Sequence, residues 1–149
     1  MTAAIAVPAS AADHHRWHRW DVQISRVQYD SPGRDDRTNR SLNGEWVEIT
    51  NDSRWAVDLD GWTLSDRDGH TYEFRHYRLE GRSTVRVHTG VGLDARHDVY
   101  QDRRNYVWNN DGDTATLRND RNRIVDSVSW GSRYDDPDSW TPRWGGHHH

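Results

Sequence analysis

Short stretches of alternating apolar and polar residues, separated by turn residues, run from Val22 to Trp130 of this 149-residue chain. The densest example is segment 42–66, LNGEWVEITNDSRWAVDLDGWTLSD, with three tryptophans and two turns rich in Asn and Asp. Alternation with period two places successive side chains on opposite faces of a strand. Eight or nine such short strands, with turns at regular intervals and no amphipathic helix, predict an all-β fold, an antiparallel sandwich of roughly 100 residues.

The inward-facing positions predict a small core built from large side chains. Hydrophobic residues make up only 32 % of the chain, but it contains nine tryptophans and six tyrosines, and each aromatic ring can bury a large area. In segment 22–29 the apolar residues change from even positions to odd positions near residues 25–26, which predicts a β-bulge there. The predicted core residues are Val47, Ile49, Leu59, Trp62, Leu64, Tyr72, Phe74, Val85, Val87, Ala115, Leu117 and Val128.

The ends of the chain differ in composition from the sandwich. Residues 1–12, MTAAIAVPASAA, are similar to the end of a secretory signal peptide with an A-x-A-like site, which predicts a secreted, extracellular protein. A basic region is missing and the apolar part is short, so an ordinary Ala-rich tail is the alternative. We expect residues 13–21 to form a flexible arm, residues 22–131 the sandwich and residues 132–149 a disordered tail.

Composition excludes several classes of function. The chain has no cysteine, which excludes disulfides, cysteine-ligated zinc and thiol catalysis. No apolar run approaches the roughly 20 residues that a membrane helix needs. The formal net charge of −4 gives no overall attraction to nucleic acid, although it does not forbid local contacts. We expect a monomer.

Five motifs in order resemble one known family. They are GEWVEITN, VDLDGWTLSDRDGHTYEF, GRSTVRVHTG, VWNNDGDTATLRND and IVDSVSW. Together they cover about residues 22–131 and are similar to the lamin tail domain, with the secreted bacterial branch as the nearest resemblance. The resemblance implies an immunoglobulin-like sandwich without catalytic residues. It also implies an extracellular interaction module that binds a protein or an anionic polymer.

Arginines supply the candidate binding residues. All 20 basic residues are arginine, and residues 75–104 carry seven arginines against four acidic residues. Guanidinium groups bind phosphates and carboxylates bidentately, and tryptophans stack on bases or sugars. The alternative is an ordinary solvated face on which Asp94, Asp98 and Asp102 pair with the arginines. The candidate ligand-binding residues are Arg75, Arg78, Arg82, Arg86, His88, Arg103, Arg104, Trp17 and Trp20.

Two metal hypotheses follow from the sequence. Cleavage after residue 11 or 12 would leave a free amine with His14 or His15 at the third position, a square-planar nitrogen set that suits Cu(II) or Ni(II). The Asp-Gly turns at residues 58–61, 66–69 and 109–113 contain oxygen ligands of the kind calcium prefers. None of them has the full calcium-loop pattern, so turn formation alone explains them better. We expect no other cofactor.

The tryptophans outside the predicted core suggest an alternative partner. Exposed indole rings would suit an envelope carbohydrate, and the rings least committed to the core are Trp46, Trp55, Trp130, Trp140 and Trp144. Catalysis has no comparable support, because no Ser, His or Asp lies in a recognisable nucleophile motif. We therefore expect a binding module and no enzyme.

Overall fold

The computed structural model describes residues 7–8, 13–16, 21–31, 33 and 35–131. Its elements are twelve strands and one short helix within these residues. They are β1 (Val7–Pro8), β2 (Asp13–Arg16), β3 (Val22–Gln28), α1 (Asn39–Asn43), β4 (Trp46–Asn51), β5 (Val57–Asp58), β6 (Thr63–Ser65), β7 (Thr71–Glu73), β8 (Arg78–Leu79), β9 (Thr84–His88), β10 (Asp98–Tyr100), β11 (Asp113–Arg118) and β12 (Ile124–Trp130).

Ten of these strands form the two sheets of a sandwich. Sheet A has the order β1-β3-β4-β9-β10, sheet B has the order β2-β12-β11-β6-β7, and β5 pairs separately with β8. The predicted all-β, immunoglobulin-like sandwich is confirmed. The described strands outnumber the predicted eight or nine because pieces of two or three residues, such as β1, β5 and β8, are too short to show a period.

The predicted bulge is confirmed and lies beside a link between the sheets. The pairing of β3 with β4 shifts register between Ile24 and Arg26. The backbone N–H of Ile24 donates to Oδ2 of Asp126 at 2.8 Å, and Asp126 belongs to β12 in the opposite sheet. This buried carboxylate therefore ties sheet A to sheet B.

The core lies between the two sheets and is larger than predicted. Every predicted core residue is buried except Tyr72, which is partly exposed and packs edge-on against Phe74 with ring centroids 5.0 Å apart. At roughly 1.5–3 kcal/mol for each large buried side chain, the additional members contribute substantially to stability. The additional buried hydrophobic residues are Val22, Ile24, Val27, Leu42, Leu79, Val99, Val107, Trp108, Val125 and Trp130.

Two elements correct the prediction of a purely antiparallel fold without helices. Strand β10 pairs in parallel with β9, with Val99 opposite Val87, after the loop of residues 89–97 carries the chain back along the sheet edge. Helix α1 lies in a polar segment without strand or helix periodicity, and the Thr38 side chain caps it by accepting the Ser41 N–H at 3.2 Å. Polar capping residues are equally typical of loops, so the sequence pattern hides so short a helix.

The first part of the arm that we predict to be flexible has strand backbone. Residues 13–16 form β2, which pairs antiparallel with β12 and places His14 opposite Val128. An edge strand is held by main-chain hydrogen bonds and does not need alternating apolar residues, which explains why the pattern missed it. Residues 17–20 and the predicted tail, 132–149, lie outside the described residues.

A membrane-spanning helix is not found in the part of the chain that the structure describes.

Candidate functional site

The arginines predicted to form one binding face fall into several groups. Arg75 and Arg78 lie near the β7 and β8 edges, where Arg75 contacts Glu73 at 3.8 Å and Arg78 contacts Glu80 at 3.7 Å. Arg82 occupies the turn that precedes β9. Exposed ion pairs such as these contribute little to stability, but they place carboxylates beside two of the candidate arginines.

The Arg86 side chain contacts two neighbouring side chains on sheet A. Its guanidinium lies over the Trp46 ring, 3.9 Å from the centroid, and its Nε is 3.3 Å from Oε2 of Glu48. The cation–π contact and the ion pair together hold the guanidinium against the sheet. They also cover one face of the Trp46 ring, which reduces its use as a platform for a sugar.

His88 is held in the same way. Its Nδ1 lies 2.9 Å from the Asn43 carbonyl oxygen, and its Nε2 lies 2.8 Å from Oδ1 of Asp98. The ring stacks on Tyr100 with centroids 4.9 Å apart. Both nitrogens and one ring face are engaged, so His88 joins α1, β9 and β10 and offers little to a ligand.

The predicted pairing of three aspartates with arginines does not occur among the described residues. Asp98 contacts His88 instead, while Asp94 and Asp102 accept backbone N–H groups from Tyr100 and from residue 92. Asp94, Asp98 and Asp102 therefore organise their own loops, and no carboxylate in the described part of the chain forms an ion pair with Arg103 or Arg104.

Arg103 and Arg104 share an open cleft with a third arginine that the sequence analysis did not single out. The cleft has a volume of about 310 Å³, and we call it the arginine cleft. Within the described residues, none of its three guanidinium groups forms an ion pair. The arginine cleft is lined by Arg37, Asn39, Leu42, Val91, Arg103 and Arg104.

Hydrogen bonds fix the walls of the arginine cleft. The Asn39 side chain accepts the Val91 N–H at 2.7 Å and donates to the Val91 carbonyl oxygen at 2.8 Å. Arg103 donates through Nε to Gln101 Oε1 at 2.9 Å and through Nη2 to the Thr71 carbonyl oxygen at 3.1 Å. One wall and one of the three guanidiniums are therefore oriented before any ligand arrives.

Both segments that carry the cleft arginines contain backbone in the left-handed region. Arg37 has φ of 61° and Asp102, next to Arg103, has φ of 58°. Such a conformation costs a non-glycine residue of order 1–3 kcal/mol and persists only where surrounding contacts enforce it. For Arg37 one such contact is its N–H, which donates to the Tyr106 hydroxyl at 3.1 Å.

A second open cleft, of about 510 Å³, adjoins the arginine cleft through Arg103 and Arg104. His70 lies on its wall, with Nδ1 at 2.6 Å from Oδ2 of Asp66, whose side chain is fully buried. The carboxylate orients the imidazole on the wall of this second cleft. His70 was missed because it lies outside the arginine-rich segment of the sequence.

Comparison with known families identifies the domain. The family model for the lamin tail domain matches residues 18–132. The chain belongs to the lamin tail domain family. This is a family of non-enzymatic immunoglobulin-like domains that often serve as interaction modules. Comparison with curated proteins gives no match.

The Asp-Gly turns of this lamin tail domain use their carboxylates to hold the backbone. Asp58 accepts the Asp60 N–H at 3.0 Å, and Asp60 accepts the His76 N–H at 2.8 Å. Asp66 accepts the His70 N–H at 2.7 Å, closing the turn between β6 and β7. Asp113 is buried, which raises its pKa despite three backbone N–H donors. These contacts give Asp58, Asp60, Asp66 and Asp113 structural roles in their turns.

No group of three or more possible metal ligands occurs among the side chains that the structure describes. The side chains of His14 and His15 lie outside that set, and their backbone forms part of β2. A copper or nickel set built from amide nitrogens needs those amides deprotonated in a planar chelate. Such a complex would compete with the pairing of β2 to β12.

The candidate tryptophans have different environments. Trp130 is buried, donates its Nε1–H to the Asn109 carbonyl oxygen at 2.8 Å and stacks on Tyr29. Trp55 is 69 % exposed on the turn after β4, with the Arg54 guanidinium 5.2 Å from its ring centroid. Trp17, Trp20, Trp140 and Trp144 lie outside the described residues. Among the described tryptophans, Trp55 alone is exposed.

A buried carboxyl group supports the loop that carries the cleft arginines. Glu45 is 0 % exposed, and its Oε1 accepts the Thr89 hydroxyl at 2.7 Å and the Val107 N–H at 2.8 Å. Burial is the main cause that raises the pKa of Glu45 to about 8. The side chain connects the start of β4 to the end of β9 and to the segment that follows Arg103 and Arg104.

Proposed function

We propose that this lamin tail domain is a non-catalytic, extracellular interaction module that binds a protein or an anionic polymer through the arginine cleft. The observation that carries the proposal is the convergence of Arg37, Arg103 and Arg104 on one open cleft, without an ion pair to any described residue. Arginines that line a cleft and form no ion pair with a described residue suit a carboxylate, phosphate or sulfate group.

Preorganisation supports the proposal further. Arg103 is already oriented by two hydrogen bonds, and the wall at Val91 is fixed by Asn39. Binding to side chains and loops that are ordered beforehand avoids part of the entropy cost of association. Because the formal net charge is −4, affinity for an anion must come from these local contacts and not from long-range attraction.

Loss of one cleft guanidinium is expected to weaken anion binding about tenfold, equivalent to about 1.4 kcal/mol. The variants are Arg104→Gln and Arg37→Asn, since asparagine tolerates the left-handed backbone at position 37. Fluorescence anisotropy with labelled heparin and labelled poly-glutamate, at one fixed salt concentration, measures the affinity.

The matched control is Arg121→Gln, which removes an exposed arginine from the β11–β12 turn. We expect it to change affinity less than twofold. Equal losses in Arg121→Gln and Arg104→Gln would show that only total charge matters, and the cleft would then have no special role. Failure of both probes to bind the wild-type chain would contradict the proposed function.

The extracellular part of the proposal is supported by the signal-like composition of residues 1–12. Cleavage after residue 11 or 12 falls between β1 and β2 and removes only the two-residue strand β1 from sheet A. We expect mass spectrometry of the exported protein to show a mature chain beginning at Ala12 or Asp13. An intact chain found only inside the cells would rule out export.

A further inference from the structure

Two exposed apolar side chains lie in the loop that follows β9, and one of them lines the arginine cleft. Among the described residues, the large hydrophobic side chains that are exposed are Trp55, Val91 and Leu93, and Leu93 is 91 % exposed. A single exposed aliphatic residue is ordinary on a protein surface. Two of them within three residues of one loop, with Val91 lining the arginine cleft, need a different explanation.

The loop that carries Leu93 is held in place on both sides. The N–H of Gly92 faces Oδ1 of Asp102 at 3.4 Å, and a Cβ at position 92 would lie only 2.6 Å from the Tyr100 ring. Beyond Leu93, Asp94 accepts the Tyr100 N–H at 3.0 Å. Leu93 therefore projects from a fixed backbone, and glycine at position 92 allows the close approach to Tyr100.

Val91 connects the apolar and the cationic parts of the surface. It is 41 % exposed and lines the arginine cleft together with Arg37 and Arg104, and Leu93 follows two residues later in the loop. We infer that the arginine cleft and Val91–Leu93 form one docking surface for an acidic segment of a partner protein, in which a carboxylate lies next to an apolar side chain. This inference rests on the proposed function and names its partner.

The chemistry of the surface favours a protein over other anionic partners. Nucleic acids and sulfated polysaccharides lack aliphatic side chains, so they would leave Leu93 uncovered. An anionic membrane surface would be repelled by the formal charge of −4 and by Asp94 beside Leu93. A discrete carboxylate can be bound bidentately by one guanidinium, and its apolar neighbour can cover Leu93.

The test compares two acetylated hexapeptides that each carry two glutamates, followed in one by two leucines and in the other by two serines. Chemical shifts of the ¹⁵N-labelled full chain, followed during titration, give both affinities even when binding is weak. We expect the leucine peptide to bind at least about threefold more tightly than the serine peptide. Leu93→Ser should abolish this difference and leave the affinity for the serine peptide unchanged.

Trp55→Ser is the matched control, because it removes an exposed apolar side chain from the turn after β4. It should alter neither affinity. Arg104→Gln should weaken the binding of both peptides.

Equal affinities of the two peptides for the wild-type chain would overturn the inference, as would binding of heparin without binding of either peptide. Both outcomes leave the proposed function intact. Absence of binding to the peptides and to heparin alike would remove the proposed function as well. Leu93-dependent binding to vesicles of phosphatidylglycerol and phosphatidylcholine, without any difference between the peptides, would also overturn the inference and assign the surface to lipid.

Discussion

Replacement of Asn51 by aspartate is expected to destabilise the domain by about 4 kcal/mol, because it buries an unpaired charge against carbonyl oxygens. Asn51 is 0 % exposed at the end of β4. Its Nδ2 donates to the carbonyl oxygens of Trp55, Leu79 and Glu80 at 2.7, 3.2 and 3.3 Å. Its Oδ1 accepts the N–H and the hydroxyl of Ser53 at 3.0 and 2.8 Å. Aspartate keeps the shape but turns all three donated bonds into repulsive contacts.

Urea denaturation followed by tryptophan fluorescence at neutral pH gives the free energy of unfolding for this comparison. The control is Asn105→Asp, which makes the same chemical change at an exposed loop position and should alter stability by less than about 0.5 kcal/mol. A loss below about 1 kcal/mol in Asn51→Asp would show that the carbonyl contacts are not maintained in solution.

The alternating pattern predicted the central strands well for a simple physical reason. Val47 and Ile49 on β4 and Val85 and Val87 on β9 lie in the interior of sheet A, with one face toward the core and one toward solvent. Such strands carry the full period-two signal. Strand β10 has only three residues, and Val99 alone is buried among them. Its sequence therefore shows neither that it forms a strand nor that it pairs in parallel.

Buried carboxylates escaped prediction because their partners are distant in sequence. Glu45 accepts the Val107 N–H from 62 residues away, and Asp126 accepts the Ile24 N–H from 102 residues away. A charged residue is rarely buried unless such partners exist. Alternation puts both residues on the core-facing parity, Glu45 with Val47 and Asp126 with Val128, but a carboxyl group with no partner nearby in sequence is not expected in a core.

Two of the three arginines in the arginine cleft were predicted, and the third was missed because it is distant from them in sequence. Arg103 and Arg104 were selected from a basic stretch of sequence, but Arg37 lies in a loop that the fold brings beside them. Arg86 and His88 came from the same stretch and are engaged with Trp46 and Asp98. Linear charge density records how many arginines are present, whereas the partner of each guanidinium depends on the tertiary structure.

Replacement of Glu45 by glutamine is expected to remove most of the loss of stability that the wild-type domain shows as pH rises. Because burial raises the pKa of Glu45 to about 8 from its ordinary value of 4.5, the folded chain retains a proton between these pH values that the unfolded chain has released. Folding takes up that proton, so stability is full below pH 4.5 and declines up to pH 8.

The slope that one such group produces is about 1.4 kcal/mol per pH unit, so the total loss for Glu45 is up to about 4–5 kcal/mol. Glutamine retains an oxygen for the Thr89 hydroxyl and the Val107 N–H. Its amide nitrogen replaces Oε2, which has no hydrogen-bond partner in the described part of the chain. We therefore expect Glu45→Gln to be more stable than wild type at pH 9 and similar or slightly less stable at pH 5.

Free energies of unfolding measured in urea at several values between pH 5 and pH 9 decide this, with Glu80→Gln as the control. Glu80 is exposed and contacts Arg78, so its replacement should leave the pH slope unchanged. Asp113, whose pKa burial also raises, is the same in every variant and therefore cancels from the comparison. An identical slope in wild type and Glu45→Gln would contradict the buried, protonated state. That result would mean that water reaches Glu45. Its hydrogen bonds to Thr89 and Val107, which connect β4 to the arginine-bearing loop, would then not be maintained in solution.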